Sequence, residues 1–206
     1  MFEKKIQAVI DALENCAPTD DEICDALENN PALSALGLSI ASGETRYAVM
    51  SPKWDFVLKI PRYEYASRDY CEVERQHYES AKTFGVERIC LPIEFFYETD
   101  SGICIYKQPC YTVSTSDAGW KYGKYLDKRN TPSPHSKIVQ KVKRDCYGGY
   151  RIDERWIGRV IQLYGKKFMR SVELWIQANQ INDLHNSNTG WLNNKPIIID
   201  YAGYHD

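Results

Sequence analysis

The chain has 206 residues, a formal net charge of −2 and 43% hydrophobic residues, enough for one domain or two small lobes around a sizeable core. That charge excludes the strongly basic composition of a general nucleic-acid binder, and seven cysteines with no C-x-x-C pair argue against a disulfide framework or zinc ribbon and for a reduced cytoplasm. No apolar run approaches the ~20 residues needed to span a bilayer, and "MFEKKIQAVIDALEN" carries acidic groups through its periodicity, so neither secretion nor membrane insertion is expected.

Residues 1–36 are expected to form a helical accessory segment. "KKIQAVIDAL" places Ile6, Ile10 and Leu13 on one face, and Thr19 and Glu22 stand in capping-box spacing ahead of Ile23 and Leu27. From Leu38, three short strands, "LSIAS", "RYAVMS" and "DFVLKI", are separated by Gly43-Glu44 and Pro52-Lys53 and fit an antiparallel meander. "YASRDYCEVERQHYESAKTFG" reads as a helix closed by Gly85, because Tyr70, Glu74, Tyr78 and Ala81 recur at four, four and three. Two more strands, "ICLPIEFFYE" and "GICIYKQ", flank the turn "TDSG". Between Pro109 and Arg155 the periodicity fades into a Ser-, Thr-, Pro- and Gly-rich stretch, read as an inserted segment. It returns in Ile157, Ile161, Tyr164, Phe168, Val172 and Trp175, the buried stripe of a long helix ending near Asn179.

The residues able to carry chemistry crowd the last stretch, "INDLHNSNTGWLNNKPIIIDYAG". Asn193-Asn194 tolerate the positive φ of a tight hairpin turn, and folding about them sets Asn188 beside Ile199 or Asp200. Two oxygen ligands so placed can share a hard cation, while Asp183 can accept a proton from an incoming hydroxyl, the division of labour that phosphoryl transfer requires. In "FVLKI", alternation turns Val57 and Lys59 one way and Phe56, Leu58 and Ile60 the other.

These motifs resemble the protein-kinase-like superfamily. "DLHNSN" is similar to its catalytic loop, D-x-x-x-x-N, at Asp183 and Asn188, and "DYAG" to its D-F-G element, with Asp200 in the metal position. The resemblance implies that Lys59 binds the α- and β-phosphates of ATP, with a partner on the following helix. Glu74 is favoured there, because Tyr78 and Ala81 share its face; Glu72 is the alternative. It further implies that "YKQPC" is the hinge, with backbone groups of Lys107 and Gln108 meeting adenine, and that Asn188 and Asp200 hold magnesium. Gly43 is the one glycine where the family's phosphate-covering loop has three, and Ile181-Asn182 stand where it has His-Arg. With Asp206 close behind the metal position, an activation segment and peptide-binding helices are not expected, which resembles the minimal kinases encoded by bacteriophages. His185 is similar to the aminoglycoside and choline phosphotransferase branch; it orients the loop or contacts phosphate, with a metal site shared with His205 as a third option.

The implied fold is a two-lobed α+β kinase-like architecture, with a five-stranded antiparallel N-lobe at 37–109 and a truncated, mainly helical C-lobe at 110–206. The implied activity is ATP- and magnesium-dependent phosphoryl transfer to a protein hydroxyl in the cytoplasm, that of a host if the gene is phage-borne. A small-molecule kinase, AMP transfer and a non-catalytic binding module stand as alternatives. From residue 118 to 170, fourteen Lys and Arg oppose four Asp and Glu, a net +10. This is either a solvated face or a docking surface for an acidic partner, a protein or a nucleic acid. His77 and His135 are read as surface groups, and Trp120, Trp156, Trp175 and Trp191 as packing residues.

Overall fold

The computed structural model describes residues 2–63, 68–110, 114–115, 137, 152, 154–185 and 188–202. The architecture is mixed α+β, with a five-stranded antiparallel sheet in the N-terminal part and helices in the C-terminal part. The chain divides into two compact units, Met1–Arg75 with Pro92–Tyr111, and Gln76–Leu91 with Thr112–Asp206. Among the described residues no helix is long and apolar enough to cross a membrane.

In the first unit, α1 (Phe2–Glu14), α2 (Asp20–Glu28) and α3 (Pro31–Ala35) precede β1 (Ser39–Ser42), β2 (Arg46–Met50) and β3 (Phe56–Pro61). Then come α4 (Tyr70–Phe84), whose first turns belong here, β4 (Glu94–Glu98) and β5 (Cys104–Pro109), giving the sheet order β1-β2-β3-β5-β4. Strand alternation sorts the side chains. Tyr47, Val49, Phe56, Leu58, Ile60, Ile103 and Ile105 form one core with Val9, Ile10, Leu13, Ile23, Leu27 and Leu33 of the helices. Each such buried aliphatic side chain contributes about 1.5–3 kcal/mol relative to exposure, so the helices and this sheet face stabilise one another. The residues between them, Arg46, Lys59 and Gln108, are left to the opposite face.

Two local readings of this unit change. Thr19 is the N-cap of α2 but makes no side-chain cap bond; the Glu22 carboxylate accepts instead from Ala17 N at 2.6 Å, so the expected capping box is not formed. The strand expected from Ile89 starts only at Glu94. Glu87–Ile89 is a 3-10 turn, and Cys90 makes a bridge to Ile198 within the second unit. Pro92, which has no N–H, interrupts any ladder there.

The second unit holds the rest of α4, β6 (Ser114–Thr115), α5 (Glu154–Ala178), β7 (Thr189–Leu192) and β8 (Lys195–Ile198), the strands ordered β6-β7-β8. Ile157, Val160, Val172, Trp175 and Ile176 of α5 pack with Ala81, Ile89, Ile181, Leu184, Ile198 and Tyr201. The long helix is not continuous, because Gly165 leaves helical geometry at φ 85°, ψ 166°, a region open essentially to glycine. His77 is buried instead of exposed. Its Nδ1 lies 2.8 Å from Tyr201 O, and its own carbonyl accepts from Trp175 Nε1 at 3.0 Å. Trp156, Trp175 and Trp191 are core residues. Trp120 and His135 lie outside the described residues.

A polar cluster joins α2 to the sheet of the first unit. The buried Asp20 carboxylate accepts from Tyr47 Oη at 2.9 Å and from Arg62 Nε at 2.8 Å, and Arg62 Nη2 forms an ion pair with the same group. The Arg62 hydrogen bonds, aided by Tyr47, hold the Asp20 carboxyl below its ordinary value against the opposing effect of burial. A depressed pKa means stability that is present above the unfolded value and lost as pH falls through the folded one. Asp20→Asn should therefore cost about 2 kcal/mol at neutral pH, and its gap from wild type in urea unfolding should narrow below about pH 4. A gap independent of pH would remove the ionised pair as the cause.

Candidate functional site

The first cluster forms around a carboxylate with no solvent exposure. Asp69 caps α4 by accepting from Cys71 N at 2.8 Å and Glu72 N at 2.9 Å, so the helix begins at Tyr70. The first turn thus fixed, Glu74 Oε2 accepts from Lys59 Nζ at 2.8 Å and from Arg46 Nη1 at 2.5 Å, and Oε1 accepts from Gln108 Nε2 at 3.2 Å. Glu74 is 0% exposed, and the Arg46 and Lys59 side chains are each 11% exposed. Of the two candidate glutamates, Glu74 is the one that meets Lys59. Glu72 instead pairs with Arg75 and accepts from Tyr106 Oη at 3.3 Å. An isolated buried carboxylate is strongly disfavoured; two cations and an amide donor offset that cost here.

Gly43 occupies the turn between β1 and β2, but its N–H donates to Arg46 O at 2.9 Å, closing the hairpin. Its carbonyl accepts from Arg62 Nη1 at 2.9 Å, and Arg62 N donates to Thr45 O at 3.0 Å. This N–H is thus used within the hairpin itself. Lys107 and Gln108 belong to the strand that ends this sheet segment. Both lie inside β5, Lys107 registered with Leu58 on one side and Glu94 on the other, Gln108 with Val57. Their backbone groups serve the sheet, which the chain leaves only after Pro109, where Cys110 N donates to Asp55 O at 2.8 Å. On the other sheet face Lys107, Phe56, Asp55, Pro92, Glu94 and Pro109 line a pocket of about 250 Å³, with Lys107 Nζ 4.6 Å from the Phe56 ring centre.

The second cluster, in the second unit, begins where α5 ends. Gln180 takes a left-handed conformation at φ 51°. Its N–H reaches Gln177 O at 3.3 Å and the next, from Ile181, reaches Ile176 O at 3.0 Å, a Schellman ending with glutamine in the usual glycine place. Ile181 and Leu184 are buried, which leaves Asp183 half-buried between them. Asn188 Nδ2 donates to Asp183 O at 2.7 Å and Oδ2 at 3.1 Å, while His185 Nε2 lies 3.4 Å from Asp183 Oδ1. The His185 carbonyl accepts from Asn188 N at 3.0 Å and from Thr189 Oγ1 at 3.2 Å, closing the loop.

The hairpin follows with Asn193 and Asn194 at φ 51° and 61°, the signs a tight two-residue turn demands. Its register pairs Thr189 with Ile198, and Ile199 N donates to Asn188 O at 2.8 Å, so Asn188 stands beside Ile199 with Asp200 next. Asp200 Oδ1 accepts from Ala202 N at 3.3 Å. With its amide nitrogen on Asp183, Asn188 has Oδ1 as the atom that could meet a cation. Among the described residues no group of three or more His, Cys, Asp or Glu is placed to hold a metal. An amide oxygen plus a carboxylate nevertheless suits magnesium, which takes few protein ligands and completes its shell with phosphate and water.

Sequence reasoning missed Arg46, the Gln108 side chain and the His185–Asp183 contact. The signal for Arg46 was strand parity: aligned across β2 and β3, Ala48 faces Lys59, and Arg46 shares the face of Ala48. Residues 118–136, 138–151 and 153 of the basic segment lie outside the described residues; Lys166, Lys167 and Arg170 on α5 are exposed. His205 also lies outside them. Neither a family model nor a curated protein matches this sequence.

Removing the charge of Glu74 leaves two buried cations, whereas removing Lys59 leaves Glu74 with Arg46 and Gln108. Glu74→Gln should therefore cost about 3–5 kcal/mol in urea unfolding and Lys59→Met clearly less; equal losses would mean that the carboxylate is not shared. Gln180→Gly should stabilise by about 1 kcal/mol, because glycine takes the left-handed position without strain, and denaturant titration reads it directly.

Proposed function

We propose that this protein is an ATP-dependent phosphotransferase of the protein-kinase-like type that transfers the γ-phosphate to a hydroxyl on a protein. The observation that carries the reading is the buried pair between Lys59 on the third strand and Glu74 on the helix that follows it. Lys59 would hold the α- and β-phosphates, and Glu74 fixes the lysine in one geometry, so that little side-chain freedom remains to be lost on binding. Asp183 would accept the hydroxyl proton. Its carboxylate is held by Asn188 on one oxygen and faces His185 with the other, which orients it before a substrate arrives. Asn188 Oδ1 and the Asp200 carboxylate would hold magnesium, whose charge, when bound, offsets that of the phosphate oxygens.

The closed turn at Gly43 favours a second reading, nucleotide capture without transfer, because its N–H is spent within the hairpin. Incubation with magnesium and, in parallel, γ-labelled and α-labelled ATP, with protein and small hydroxylated acceptors, separates the readings. Transfer of γ-label should fall by about 10²–10⁴-fold in Asp183→Ala with ATP binding retained. Label from the α position would mean AMP transfer, and ATP binding without any label would favour capture.

A further inference from the structure

Where β3 and β4 begin and β5 ends, the first unit holds a cavity of about 250 Å³. Strand register explains what lines it. Phe56 pairs with Pro109 and Glu94 with Lys107, so these four residues share one sheet face, joined by Asp55 and Pro92 just outside the strands. The apolar part is Phe56, buried with Trp54 stacked on it at 4.8 Å, and two prolines that add ring surface and no N–H. The polar part is three charges. Lys107 Nζ lies 4.6 Å from the Phe56 ring centre and 3.9 Å from Glu94 Oε1, beyond hydrogen-bond distance. Among the described residues neither this ammonium nor the carboxylates of Asp55 and Glu94 makes a side-chain hydrogen bond, in contrast to the shared carboxylate of Glu74. The Asp55 backbone is fixed, its carbonyl accepting from Cys110 N at 2.8 Å.

We infer that this cavity is a binding site for a small zwitterion, a free amino acid with an apolar side chain: its carboxylate meets Lys107, its ammonium meets Glu94 and Asp55, and its side chain lies on Phe56, Pro92 and Pro109. The size bounds the ligand. The cavity matches about eight water molecules at ~30 Å³ each and falls below the ~300–1,000 Å³ of sites for drug-sized ligands, which excludes a nucleoside triphosphate. The charges select within that size. One ammonium beside two carboxylates gives each end of a zwitterion a partner, and the surplus negative charge disfavours a ligand that is only an anion. An amine without a carboxylate competes with Lys107 for Glu94 and for the Phe56 ring and leaves the lysine unmatched. The inference goes beyond the proposed nucleotide reading and is independent of it, because Lys107 and Lys59 stand on opposite faces of the sheet.

The test is calorimetric titration of the full chain with L-phenylalanine, phenethylamine and 3-phenylpropionate, which share a body and differ in charge. L-phenylalanine should bind about tenfold more tightly than either analogue. Lys107→Met should weaken L-phenylalanine by about fivefold or more while leaving phenethylamine unchanged or tighter, whereas a mere loss of packing would weaken both. Glu94→Gln should weaken L-phenylalanine and phenethylamine and spare 3-phenylpropionate. Should circular dichroism show Lys107→Met unfolded, Lys107→Gln replaces it with the same expectation. Phenethylamine binding as tightly as L-phenylalanine would overturn the zwitterion. L-phenylalanine binding that is unchanged in both variants would lie elsewhere and overturn the site, as would no binding by the wild type; none of these outcomes bears on phosphate transfer.

Discussion

Glu74 is a carboxylate with no access to water, and the sheet of the first unit is arranged to meet it. Its partners come from β2, β3 and β5, so three strands must keep their register together for one buried charge to be compensated. A slip of one residue in β2 would turn Arg46 toward the apolar core and bring Tyr47 to the carboxylate. The helix is constrained as tightly. Asp69 caps it, and Tyr106 Oη donates to the other Asp69 oxygen at 2.6 Å, so β5 fixes the start of α4 as well as supplying Gln108 one residue beyond Lys107. Burial pushes the Asp69 carboxyl above its ordinary value, partly opposed by these hydrogen bonds.

The second cluster is built by a different principle. Its residues lie within a short stretch of chain, and local backbone devices place them: a left-handed helix ending at Gln180, a loop closed on the His185 carbonyl, and a turn of two left-handed asparagines. Local contacts lose little chain entropy on closing, so this geometry depends less on distant packing than the ion pairs of Glu74 do. Its anchors are still tertiary. Ile181, Leu184 and Tyr201 are core residues on either side of the polar positions, and Tyr201 holds His77 of α4 through its carbonyl.

What was legible in the sequence follows the same division. The turn at Asn193-Asn194 could be read because its chemistry is local: two residues that tolerate positive φ between strand-like ends. The five strands and the helix stop at Gly85 were readable for the same reason, from alternation and from a glycine in the C′ position. Arg46 was not, since parity shows its face only after β2 and β3 are put in register, and register is a tertiary property. The burial of His77 also depended on a partner more than a hundred positions away, the Tyr201 carbonyl. Gly165 sits inside an unbroken apolar stripe, and periodicity carries no trace of a residue that leaves the helix and returns. Gly43 shows a related limit, because a glycine in a hairpin is equally compatible with an open loop and with the closed turn found here.

The closed turn at Gly43 and the shared carboxylate of Glu74 meet at Arg46. A loop of backbone N–H groups grips phosphate by shape, through many directional bonds from one wrapped segment. Arg46 and Lys59 instead are fixed as side chains on one carboxylate, from β2 and β3. On the proposed reading adenine would be met at the end of β5, where the pairing with β3 reaches Pro109 and Cys110 N still donates to Asp55 O.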